Sequence, residues 1–282
     1  MRGFESARSP CFALPVLAAL LWGVPLRAAT PTTVPDPLVY HFSHGRPGVA
    51  VAGATYLGLS ARSLVMVGYG RPHWLFAAVH VQSALTSEFA AQAAGVRVVA
   101  PVAELILQAR RVSSYKHPFL APRQHYAESA LSASGKAAQY YVAEAALSAY
   151  LPAYAGFIYA SAWVNRLYGL PEAHFVFEEV TRAIVRGPWL GSEQLAYFLY
   201  LGRSGHHRLA PLVEHVWSSR QGGGLFRLGL AYSAQFTRHL SCLAYVTEPV
   251  HSPDSLGLWA SAGGGVEFRY AWSSTDPAPA FP

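Results

Sequence analysis

His239-Leu240-Ser241 sets an imidazole and a hydroxyl two positions apart. Alternate residues of a β-strand share one face. There His239 could take the Ser241 proton and turn the hydroxyl into a nucleophile for an ester. A third polar group must orient the imidazole, and Glu267 is the candidate. Residues of these types recur at this spacing by chance, so the set is an alternative rather than an assigned catalytic centre. The rest of the chain offers a different chemistry, a scatter of acids and bases over many short segments. His80, Gln82, Glu104, Gln108, Arg110, Glu144, Arg182, Glu214, Arg227, Glu267 and Arg269 recur on the polar side of alternating stretches. Gathered inside a barrel, they would line a pore with opposed acidic and basic walls.

The elements that must position these residues are strands. In 224–236, Phe226, Leu228, Leu230, Tyr232 and Phe236 fall on one side, and Arg227, Gly229, Ser233 and Gln235 on the other. In 239–248, Leu240, Cys242, Ala244 and Val246 alternate with His239, Ser241, Tyr245 and Thr247. Slipping the first register by one residue would put Arg227 in hydrocarbon, at about 2–4 kcal/mol near a bilayer midplane. The sharpest alternation is Val266 to Trp272, with Phe268, Tyr270 and Trp272 opposite Glu267, Arg269 and Ala271. This stretch resembles the closing strand of a bacterial outer-membrane β-barrel, which ends in alternating aromatics. It departs from that pattern because Ser273 to Pro282 follow Trp272. The resemblance implies an outer-membrane location, lipid contact and insertion by the barrel assembly machinery. It names no substrate. Outer-membrane lipid hydrolases carry a similar His-x-Ser pair on an inward strand face, which is why His239 and Ser241 are retained as the alternative.

Composition agrees with strands. Charged residues are 13% and the apolar set is 52%, yet mean hydropathy is only +0.21. Alternation produces that combination. The Ala-rich window 140–164 would suit a membrane helix, but 62–112 and 206–248 hold no apolar run of spanning length. Residues 1–28 read as a secretory signal: Arg2 and Arg8, an apolar run from Cys11 to Val24, then small residues at Ala28 and Ala29. Proline-rich 29–48 reads as a periplasmic lead-in, 49–272 as the barrel and 273–282 as a tail. Cys242 is the one cysteine beyond the signal, which excludes an internal disulfide and a cysteine metal site. His206-His207 point to opposite faces of a strand and make a poor ligand pair. No metal site and no cofactor are expected. The net charge of +6 has no concentrated basic face, which excludes nucleic acid as a partner.

Turn signals every 12 to 20 residues divide 49–272 into about fourteen antiparallel strands. Twelve remain if 49–59 and 124–134 are not membrane strands. The expected architecture is all-β, an up-and-down transmembrane barrel. Both termini lie at the periplasmic end, with a periplasmic turn at Ser134-Gly135. Glu178 and Glu179 cannot both point inward from one strand, and a bulge there, or a periplasmic-end position for one of them, is the expected remedy. Arg110, Arg111, Lys116, His117, Arg123 and His125 are expected to surround the longest outer loop, where lipopolysaccharide phosphates are candidate partners. The functional expectation is a passive channel for small solutes. The alternatives are a lipid hydrolase using Ser241 and His239, and a structural barrel with a closed lumen.

Overall fold

The computed structural model describes residues 47–58, 61–71, 75–100, 102–132, 137–202, 206–219, 224–237 and 240–274. The signal, nearly all of the lead-in, His239 and most of the tail lie outside the described residues. The described residues hold fourteen strands: β1 (Gly48–Gly58), β2 (Ala61–Arg71), β3 (Leu75–Leu85), β4 (Phe89–Ala100), β5 (Ala103–Pro118), β6 (Ala137–Ala153), β7 (Gly156–Tyr168), β8 (Val176–Glu178), β9 (Ala183–Val185), β10 (Trp189–Leu201), β11 (His207–Ser218), β12 (Leu225–Gln235), β13 (Leu240–His251) and β14 (Gly263–Ser273). Twelve of them close into one antiparallel barrel, in which β1 pairs with β14. β8 and β9 form a separate two-stranded hairpin.

The twelve-strand barrel is reached by a route that corrects the sequence reading. The segment 49–59 is a true wall strand, β1. The two expected strands that fail are 124–134 and 172–185. The first holds a 3-10 turn at Glu128–Ser132, and the second folds into the β8–β9 hairpin. Both segments are rich in apolar residues, but these serve a core of their own. Leu120, Tyr126, Leu131, Phe175, Phe177, Ile184 and Leu256 pack together at one end of the barrel.

That change moves the connections. The links after β2, β4, β6, β10 and β12 lie at the end where the chain enters and leaves, and they are short. The longest links, 119–136, 169–188 and 252–262, all lie at the opposite, outer end. Ser134 and Gly135 are outside the described residues; β6 itself starts at the outer end. β6 runs through Pro152 to a turn at Tyr154-Ala155, where Ala155 takes φ 55°.

Faces follow the period-2 pattern. Large apolar residues are exposed around the outside, among them Val65, Val79 at 63% and Leu230 at 54%. In water this band would be a severe liability; in a bilayer it is the contact surface. Aromatics bound it at both ends. Tyr69, Phe236, Tyr270 and Trp272 ring the periplasmic end, while Tyr115, Tyr141, Tyr168 and Trp189 ring the outer end. Two such girdles around an apolar band are what amphipathic rings adopt at the two membrane interfaces. Gln92 is exposed on the outer face and pairs with Arg111 at the outer rim.

Candidate functional site: the barrel lumen and its inward hairpin

The three long outer links are laced into a cap. Leu120 and Phe175 exchange backbone hydrogen bonds, Glu128 N donates to Ser255 O, and Ser255 N donates to Tyr126 O. Tyr126 N donates to Asp254 Oδ1 at 3.0 Å, and Arg186 is ion-paired with Asp254. Burial pushes the Tyr126 hydroxyl above its ordinary pKa, so it stays a neutral donor to Ala121 O at 2.6 Å.

From this cap the β8–β9 hairpin turns inward, and its tip carries both problem carboxylates. Glu178 and Glu179 are 0% and 1% exposed. No bulge is involved. The tip leaves the wall altogether, so the two side chains can diverge inside the lumen. Glu178 Oε2 accepts from Val180 N at 3.1 Å and from Thr181 N at 2.7 Å, which closes the turn. Its Oε1 lies 3.3 Å from Arg110 Nη2 and 3.4 Å from the Tyr140 hydroxyl. Glu179 Oε1 accepts from Ser114 Oγ at 2.7 Å and sits 2.8 Å from His117 Nδ1. The turn ends at Arg182, held at φ 53°, a left-handed conformation that costs a non-glycine residue about 1–2 kcal/mol.

Arg227 secures that strained turn. Its Nη2 donates to Thr181 O at 2.6 Å and Arg182 O at 3.1 Å, and its Nε to Ser261 O at 2.7 Å. Nη1 meets Glu214 Oε2 at 2.7 Å. Glu214 Oε1 in turn accepts from Gln194 at 3.0 Å and Ser192 at 3.2 Å. One buried guanidinium on β12 thus holds the hairpin tip, the link before β14 and the β11 wall together.

Two cavities flank the tip, of about 320 Å³ and 210 Å³. His80, Gln82, Glu104, Gln108, Glu267 and Arg269 line the larger, periplasmic one. Arg182, Glu214 and Arg227 line the smaller. Arg110 and Glu144 line both. The charges are largely compensated. Arg97 pairs with Glu104 and Arg269 with Glu267. Arg110 lies 3.5 Å from Glu144. His80, Gln108 and Glu144 form a chain of hydrogen bonds at 2.8 and 2.9 Å. Arg182 differs from the others because it projects from the hairpin rather than from a wall strand.

Ser241 lines the periplasmic cavity, as does Glu267. The Glu267 carboxylate is engaged by Arg269, and His239 is outside the described residues. The basic cluster expected around one loop divides instead. Arg110 and His117 face the lumen, Lys116 meets Glu88 at 2.7 Å, and Arg111 is exposed on the wall. Alternation along β5 separates neighbours in sequence to opposite faces. Sequence reasoning missed Tyr140, Ser114 and Tyr56 as lumen groups, because each reads as an ordinary strand residue. The Glu178-Glu179 doublet was the one visible sign of the hairpin.

No protein-family model matches the chain, and no curated protein sequence does. Solved structures do. The β domain of the Bordetella autotransporter BrkA aligns at 12% identity and TM-score 0.37, over 80% of this chain and 98% of that one. The KdgM porin in complex with disordered oligogalacturonate aligns at 6% and 0.37, over 79% and 96%. The translocator domain of the autotransporter NalP from Neisseria meningitidis aligns at 14% and 0.34, over 85% and 91%. The class rests on the molecule itself: a closed ring of even strand number, an apolar outer band and two aromatic girdles. The chain is an outer-membrane β-barrel. In this barrel the lumen carries paired acids and bases, is narrowed by one hairpin, and is capped at the outer end.

Proposed function

We propose that this barrel is a passive channel for small polar solutes, narrowed by the β8–β9 hairpin. One observation carries the reading. The cavities on either side of the hairpin tip share Tyr56, Arg62, Arg110, Glu144 and Val180 as lining residues, so the tip narrows the lumen without parting it into unrelated spaces. The paired acids and bases of the lining suit small polar or charged solutes. Outside, Arg111 and Arg166 stand at the outer rim, Arg166 over the rings of Tyr168 and Trp189 at 5.1 and 5.3 Å. Guanidinium groups among girdle aromatics suit the phosphates of outer-leaflet glycolipid.

Single-channel recording in a planar bilayer tests passage. Neutralising Glu104 and Glu144 together to Gln releases Arg97 from its pair and leaves Arg110 with Glu178 alone. Selectivity should then shift toward anions while the folded band on unheated gels persists. Ser241→Ala should leave conductance unchanged. Ester cleavage abolished by Ser241→Ala would establish the hydrolase alternative instead. A folded barrel that neither conducts nor cleaves would mean a closed structural barrel.

A further inference from the structure

The outer side of the hairpin tip brings together three groups that passage through the lumen does not use. Glu88 lies in the link 86–88 between β3 and β4, His117 near the outer end of β5, and Glu179 at the tip between β8 and β9. A ligand atom from each lies within 4.8 Å of the others. His117 and Glu179 are 4% and 1% exposed, and Glu88 opens to the outer rim. The second observation is an orphan. Glu179 Oε1 is satisfied by Ser114 and His117, but among the described residues no donor reaches Glu179 Oε2, which is fully buried. A buried carboxylate oxygen without a partner is costly and calls for an ion or a donor.

The surroundings are arranged as a metal's supporting residues are. Ser114 Oγ accepts from His117 N at 2.9 Å while donating to Glu179, so one hydroxyl sets both ligands. The His117 ring also packs edge-on to Phe177, with centroids 4.9 Å apart. The group facing the site with the wrong charge is Lys116, 2.7 Å from Glu88 Oε1; its half-exposed side chain can swing into water. Arg182 stands farther off, 4.0 Å from Glu88.

We propose that Glu88, His117 and Glu179 bind one divalent transition-metal ion of the zinc or manganese class, tying the hairpin tip to the barrel wall. One imidazole and two carboxylates suit that class, and the imidazole disfavours magnesium and calcium. Two carboxylates neutralise the ion's charge, and the ion replaces the Lys116 ammonium on Glu88. The three ligands come from three separate elements, so no spacing in the sequence announces them. The proposal does not depend on passage.

Calorimetric titration of the EDTA-stripped, detergent-folded full chain with zinc chloride tests it, with magnesium chloride as comparator. The expected result is one saturable zinc per barrel and no saturable magnesium. Glu179→Gln and His117→Gln should each weaken zinc binding at least tenfold. Glu88→Gln, at the less buried edge, should do the same with a folded barrel on unheated gels even where the buried variants fail to fold. A His206→Gln/His207→Gln double variant should bind zinc as the native chain does. Absence of saturable zinc, native affinity in Glu88→Gln, or loss of binding in the His206/His207 variant instead would each overturn the proposal.

Discussion

Replacing Arg227 with methionine should cost about 3–5 kcal/mol of barrel stability, because Glu214 would be left as a buried charge without its partner. The side chain is 3% exposed and holds two carbonyls of the hairpin turn, one of the link before β14, and the β11 carboxylate. Its loss removes the clamp on a turn that Arg182 already enters with a left-handed backbone. The tip should then sample positions away from β12, and conductance should rise and fluctuate. Bilayer recordings and the temperature at which the folded gel band disappears measure the two effects. Adding Glu214→Leu should restore part of the stability, since the unpaired charge is then gone, but not the clamp. Unchanged conductance and melting in Arg227→Met would show that the hairpin is held elsewhere.

Leu228→Arg and Leu230→Arg should each cost about 2–4 kcal/mol of barrel stability, the penalty for a guanidinium at hydrocarbon depth. Both leucines are more than half exposed on the outer wall. Ser233→Glu, on the opposite face of the same strand, should be tolerated because its cross-strand partner is Arg208. Urea-resolved folding into lipid vesicles reads all three. Equal damage from the three variants would mean that β12 has the other register.

These two expectations lie on parts of the fold that were differently legible. The faces of β12 could be read from the alternation of Phe226, Leu228 and Leu230 with Arg227 and Gly229, because lipid and lumen are opposite solvents two residues apart. The number of strands was harder to read. Tyr126 and Leu131, and Phe175, Val176, Phe177, Ile184 and Val185, look like strand residues because they too are buried against apolar neighbours. Composition does not distinguish lipid from a small protein core as the neighbour. Glu178 beside Glu179 did mark the place where period 2 fails, but nothing local says that the segment folds inward. Of the lumen, the wall residues could be read strand by strand. The clamp and the seat of Glu179 could not, since Arg227 reaches back 46 positions to Thr181 and forward 34 to Ser261, and Glu179 lies 62 and 65 positions from His117 and Ser114. Arg111 and Arg110 show the limit from another side: neighbours in sequence, they stand in different environments.

The cap also dictates an order of events during assembly. Its core joins Leu120 and Tyr126 to Phe175, Ile184 and Leu256, residues widely separated along the chain. Loop closure over such separations is costly until the intervening strands have paired. The last of these groups reaches the outer end only when β13 and β14 are in place. The hairpin must therefore enter a ring that is already nearly complete, and the final strand shuts the lid over it. A chain lacking β14 would be more than an open sheet: its Arg186 would have lost the ordered Asp254, and its Arg227 the Ser261 carbonyl. Completion of the membrane wall and seating of the internal hairpin are thus one cooperative step, checked by the same C-terminal segment.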